Sequence, residues 1–509
     1  MEKSIANGSV RFGSALAGDP GYAKSVLRDR CSCDSRSFTR FAALLGAVFG
    51  KKSERHQKTS LLPCREAKHH EVRHYKKVGL SAFVAAMLCV GVTAQATTVT
   101  VNDVTDGSVA GKCTLRDAVA AVNTATAVNG CAAGDGSNDT ITFDAGVFTT
   151  PTTIDVTASG EIAITRSLTI NGLLDGNDAP LITLDGKSAN RILNITGSGS
   201  VLTVSGLAFQ KGSAASGDGG AINIPNGTVT VSNSTFEGNR ANSYFGGAIY
   251  TYATANVSNS TFENNQASGN GGAIHAGTAD VSNSTFKVNR AGGDGGAIYA
   301  MGGTANVSNS AFEGNQTSFG NGGAISATTA NVSDSTFENN RVGSGGSFGG
   351  GAINAYGTVN VSDSAFEGNQ ASDDGGAINA STANVSNSTF KDNQSSGDGG
   401  AVRVGMYGGS LRASHLTLLD NSATTSGAAI YHQGIGNARI DNSLILSSTD
   451  LVDAPTLCAV GGAGSIGGSY NIEWVNGTDT TSCSNTNNVS GGSGAIGAIV
   501  ETTLADNGG

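Results

Sequence analysis

Between Gly219 and Asn393 the chain repeats one phrase seven times: Gly-Gly-Ala-Ile, a short variable stretch, then Asn-Val-Ser-Asn-Ser-Thr-Phe-x-x-Asn. The leading isoleucines are Ile222, Ile249, Ile274, Ile298, Ile325, Ile353 and Ile378, with Val402 as a conservative eighth. The gaps between them are 27, 25, 24, 27, 28, 25 and 24 residues. A unit of that size cannot bury its own apolar face, so it must stack on its neighbours. Apolar residues alternate with small polar ones, as in Val257-Ser258-Asn259-Ser260-Thr261-Phe262, which is a strand pattern with one covered side. One period holds three short strands and three turns, the smallest coil of a parallel β-helix. An antiparallel hairpin array would need its turns at half this period. The fold class is therefore all-β, a right-handed parallel β-helix.

Stacking of the units puts like on like. Val231, Val257, Val281, Val307, Val332, Val361 and Val385 form one inward column, and Phe236, Phe262, Phe286, Phe312, Phe337, Phe366 and Phe390 another. The Gly-Gly before each Ala-Ile marks a corner that needs positive φ or close backbone approach, and the Ala fits where a larger side chain would strike the next coil. Two polar columns accompany the corners. One is Asn233, Asn259, Asn283, Asn309, Asp334, Asp363 and Asn387; the other runs from Asn239 through Asn265, Asn289, Asn315, Asn340, Asn369 and Asn393 to Asn421. Stacked amides hydrogen-bond along such a column, so both are read as structural. The repeat also accounts for the many Asn-x-Ser/Thr sites without invoking glycosylation.

The ends differ in composition. Residues 1–96 hold 16 of the 30 Lys and Arg but 7 of the 40 Asp and Glu, which leaves 14 against 33, a net charge of −19, for the remainder. Residues 76–96 have the layout of a secretory signal, with Lys76-Lys77, an apolar run from Val78 to Ala94 and a small-x-small site that predicts cleavage between Ala96 and Thr97. That run is too short for a typical membrane span. Residues 1–75 then read as a leader from a start assigned too early. The expected order is leader 1–75, signal 76–96, cap and irregular first coils 97–210, regular coils 211–430, and divergent, truncated coils 431–509. An acidic exported chain argues against nucleic acid as a partner.

Four cysteines follow the signal, in two local pairs flanking the repeats: Cys113 with Cys131 and Cys458 with Cys483. In an exported chain these predict two disulfides. Zinc is the rival, disfavoured because no Cys-x-x-Cys spacing occurs and three histidines remain after residue 96. Between the first pair, Leu115, Ala118, Val119 and Val122 recur at helical spacing behind Thr114, an N-cap residue. This predicts a short helix that covers the first coil.

The run Cys113-Thr114-Leu115-Arg116-Asp117-Ala118-Val119, with Cys131 behind it, resembles the C-S-L-R-E-A domain of bacterial secreted β-helix proteins. The Gly-Gly-Ala-Ile and Phe-x-x-Asn units resemble those of polymorphic outer-membrane proteins, which are surface adhesins in chlamydiae. The tail, with Tyr470-Asn471-Ile472, Cys483 and Leu504-Ala505-Asp506-Asn507-Gly508-Gly509, is similar to the start of a choice-of-anchor module. The resemblance spans residues 97–509 and implies a pectin-lyase-like solenoid, secreted or on a bacterial outer surface, that binds a host or environmental glycan or a surface protein.

Two places on the coils could carry chemistry. Tyr250, His275 and Tyr299 follow the inward Ile on consecutive coils, so their rings predict an outward aromatic shelf for ligand, with His275 adding a pH-sensitive donor near neutrality. The plainer account is tolerated surface residues. Asp374 and Asp398 precede Gly-Gly on adjacent coils and are the best candidates for calcium or for a pair of catalytic carboxylates, but ordinary turn chemistry is the preferred account of them. The expected function is binding, as an adhesin, with no cofactor and no resident metal. The alternatives are a polysaccharide lyase or glycoside hydrolase on the same fold, and a surface structural or antigenic-variation protein without a dedicated ligand.

Overall fold

The computed structural model describes residues 97–344, 349–405, 408–434, 436–447, 456–461 and 465–475, together with Cys483, Val489 and Ser490. The proposed leader, signal and Ala96, and the tail beyond Ser490, lie outside the described residues. The chain winds into a parallel β-solenoid of about 12 turns. Its strands fall into three parallel sheets of 22, 14 and 9 among the described residues.

The coil that begins at Ile274 shows how the sequence makes the turn. Strands Ile274–Ala276 and Thr278–Ser282 lie in the large sheet, Thr285–Lys287 in the second and Arg290–Ala291 in the third. Between Ile298 and Ser386 the first two fuse into single longer strands, such as Ile325–Ser333 and Ile378–Ser386, and from Val402 they are separate again. Asn283 sits between the large sheet and the second with φ 48°, a left-handed bend that Asn tolerates. Every coil pairs with the next in register: Ile274 with Ile298, Val281 with Val307, Phe286 with Phe312.

The core is the stack of these columns. Eight phenylalanines from Phe209 to Phe390 lie face to face, with successive centroids 4.6 to 4.8 Å apart and planes within 7°. That spacing is the strand spacing, so stacking follows from register. The Asn239-to-Asn421 column is a buried ladder. Asn315 Nδ2 donates to Asn340 Oδ1 at 3.0 Å and to the Phe286 carbonyl at 2.9 Å, while its Oδ1 accepts from both the backbone and side-chain nitrogens of Asn289. The Gly-Gly corner uses its two residues differently. Gly271 has φ 70°, whereas a Cβ on Gly272 would lie 2.0 Å from the Gly296 carbonyl oxygen.

The N-terminal end is closed by the helix Leu115–Thr124, with Leu115, Ala118, Val119 and Val122 buried and Thr114 accepting from the Asp117 amide at the N-cap. Arg116 ties the helix down: it pairs with Asp106 at 2.9 Å and donates to the Gly160 and Glu161 carbonyls. Both expected disulfides are formed, Cys113–Cys131 and Cys458–Cys483. No described helix is long and apolar enough to cross a membrane.

Candidate functional site

The aromatic residues proposed as a shelf do come together. His275 lies 5.0 Å from Tyr250 and 5.1 Å from Tyr299, ring centroid to centroid, as their places on three successive coils require. Their exposure differs from expectation. Tyr250 and His275 are each 1 % exposed, and Tyr299 is half-buried. Two side chains flanking the strand Ile249–Tyr250 cover the outward stripe: Phe245, in the turn before Gly246-Gly247, stacks on His275 at 4.9 Å, and Tyr252, just after the strand, packs edge-on to Tyr250 at 5.1 Å. Burial also corrects the expected titration near neutrality, because desolvation lowers the His275 pKa to about 4 and its Nδ1 has no partner. What is exposed here is the rim, Tyr252 and Tyr244.

Further along, the same covered stripe turns polar, with Ser326, Asn354 and Asn379 fully buried. Tyr356 donates to Asp294 Oδ2 at 2.9 Å, and its phenol is pushed up to about 12 by burial, then by the Asp294 charge. Asp374 and Asp398 are adjacent, as the period requires, and the turn explains their contact: Asp374 Oδ1 accepts from the Asp398 amide at 2.8 Å. Asp374 Oδ2 faces Arg403 Nε at 3.4 Å, and Arg403, itself buried, also reaches Asn379 and Gln433. Burial, followed by the neighbouring Asp374 charge, raises the pKa of both Asp373 and Asp398, and Arg403 opposes the rise. The cluster is thus three carboxylates around one guanidinium. Among the described residues no three His, Cys, Asp or Glu side chains are grouped to hold a metal ion.

A third feature was missed from sequence. The Thr-Ala-Asn-Val-Ser strands of the large sheet turn Thr, Asn and Ser outward, and the Asn and Ser rows floor a shallow groove of ≈ 1000 Å³ that runs from Thr230 to Asp441. Its central column is Asn256, Asp280, Asn306, Asn331, Asn360 and Asn384, all half-buried, followed by the exposed Arg412 and Arg439. Successive rungs are bonded: Asn306 Nδ2 donates to the Asp280 carboxylate at 2.6 Å, and among the amides Asn331 donates to Asn306 at 2.8 Å, Asn360 to Asn331 at 2.7 Å and Asn384 to Asn360 at 2.8 Å. The available signal was an Asn held mid-strand at the same phase of five repeats, Asn256, Asn306, Asn331, Asn360 and Asn384, since Asn is depleted in strands unless something holds it there.

Five segments, residues 233–252, 259–277, 283–301, 363–381 and 387–404, match the Chlamydia polymorphic membrane protein repeat. The chain therefore carries repeats of that kind on a parallel β-solenoid. No curated protein matches it in sequence. Among solved structures it is similar to the catalytic unit of a thermostable GH87 alpha-1,3-glucanase from Streptomyces thermodiastaticus strain HF3-3, at 14 % identity over 78 % of this chain and 72 % of that one, with a TM-score of 0.36.

Proposed function

We propose that the protein is exported, cleaved between Ala96 and Thr97, and displayed at a bacterial outer surface, where the flank of the solenoid binds a glycan or a surface protein as an adhesin does. The observation that carries this is the groove: one continuous polar face, extended along the axis, suits contact with an extended partner better than a single reaction centre. The repeat match supports the surface location. The test is adhesion of the purified chain to host cells and to immobilised glycans without turnover. A chain that adheres to none of them would defeat the proposal, as would an exported form that still carries residues 1–75.

A second reading, a polysaccharide-cleaving enzyme, draws on the Asp373, Asp374 and Asp398 cluster beside Arg403, where raised carboxylate pKa values would suit a general acid. Release of reducing ends or unsaturated uronides from a polysaccharide panel, abolished in Asp374→Asn, would establish it in place of the first.

A further inference from the structure

We propose that the outer groove holds a linear acidic polysaccharide laid along the solenoid axis. Its hydroxyls would lie over the asparagine rungs, and a carboxylate- or sulfate-bearing unit over Arg412 and Arg439. The idea rests on the surface-binding function proposed above and names the class of ligand.

The groove changes character along its length. Its middle is neutral: each amide from Asn306 to Asn384 gives one N–H to the rung before it and keeps a second N–H and an oxygen lone pair to offer outward. An unbroken alternation of donor and acceptor matches groups that are both at once, which is what sugar hydroxyls are. The rungs repeat once per coil, at the 4.8 Å spacing that the core rings record, a distance on the order of one sugar unit. At the C-terminal end Asn384 is in register with Arg412, and Arg412 with Arg439.

Two guanidiniums directly opposite on neighbouring strands repel each other. Arg439 is answered by Asp441 on its own strand at 2.5 Å, whereas Arg412 makes no ion pair among the described residues. An anion seated across both would relieve the repulsion through charge-assisted hydrogen bonds, in a chain whose overall charge has the opposite sign. Other occupants fit less well. A peptide strand adds to an open sheet edge, and the backbone under this groove is already paired on both sides. A lipid surface would strand the amides.

The test uses the full chain and three probes: alginate oligomers, heparin-derived oligosaccharides and neutral cello-oligosaccharides, titrated by calorimetry at two salt concentrations. Binding of either acidic probe, weakened by salt, is expected; alginate identifies a carboxylate and heparin a sulfate as the favoured group. The double variant Arg412→Glu, Arg439→Glu should weaken it by about a hundredfold, at about tenfold per lost charged hydrogen bond. Asn331→Leu with Asn360→Leu should weaken it by about tenfold. Should the leucine variant fail to fold, the charge-reversed one decides alone, because both of its sites are exposed. Equal affinity for the neutral oligomers, or unchanged affinity after charge reversal, would overturn the proposal. Cell adhesion separates this failure from that of the adhesin function. A charge-reversed chain that adheres like the parent removes the groove and leaves the adhesin. A parent that takes up alginate but adheres to no cell removes the adhesin and leaves the groove.

Discussion

Asn315 shows how much one amide carries. It is fully buried, and both ends of its side chain are occupied by neighbours on the coils before and after. In Asn315→Leu the Asn289 donors lose their acceptor, and the Phe286 carbonyl loses its donor. Leaving several buried polar groups unpaired should cost about 3 kcal/mol or more, read as a lower midpoint in urea; a midpoint within error of the parent would mean the ladder is decoration. His275 makes a different prediction. Held near 4 in the fold against 6.5 when free, it binds its proton less readily folded than unfolded. Its contribution is therefore intact above pH ~6.5, declines as pH falls toward ~4, and levels off below, a loss of about 3 kcal/mol by linkage. Asp218, Asp373 and Asp398, whose pKa values are raised, work in the opposite sense, so the difference between parent and His275→Phe is the measure. Melting temperatures from pH 7 to 4 should fall less in the variant, and parallel curves would refute the burial of His275.

At the level of the element, the Gly-Gly corner is the most constrained joint. Gly272→Ala would drive a methyl against the Gly296 carbonyl, which is backbone and cannot swing aside. A loss of about 2 kcal/mol or more is expected, whereas Gly107→Ala, with open space around it, should change stability by less than about 0.5 kcal/mol. Equal effects at the two sites would show that the coils yield at their corners. These joints were legible in the sequence because a steric demand repeated in register leaves a visible column. So were the Val and Phe rows, the helix behind Thr114 and both cysteine pairs. The cover over Tyr250 and His275 was not legible. Alternation tells which way a side chain leaves its strand, but not whether a neighbouring loop returns to lie on it. Phe245 occurs in one coil and the Tyr252 position is Tyr again only at Tyr356, so no column announced them. The outer groove escaped for a related reason: half-buried Asn and Ser look like any solvated strand face until the register shows their amides joined.

For the whole molecule, stability is a sum over coils and the contacts between neighbours, with the end coils supported on one side only. Amide hydrogen exchange should accordingly be slowest in the central coils, around Phe286 to Phe366, and quicken toward both ends, with the helix and the Cys113–Cys131 disulfide holding back the N-terminal loss. Uniform protection from Val99 to Ile445 would argue instead for one indivisible cooperative unit.

The matched columns bear also on heredity. Because Ile274 and Ile298 occupy equivalent points of consecutive coils, excising residues 274–297 would join a strand to its own counterpart, and each surviving column would close over the gap. Copying errors between near-identical stretches of DNA remove or add blocks of this kind. A gene built this way can change the reach of its product by one rise at a time without passing through a misfolded intermediate, so length is the trait that selection can adjust most freely.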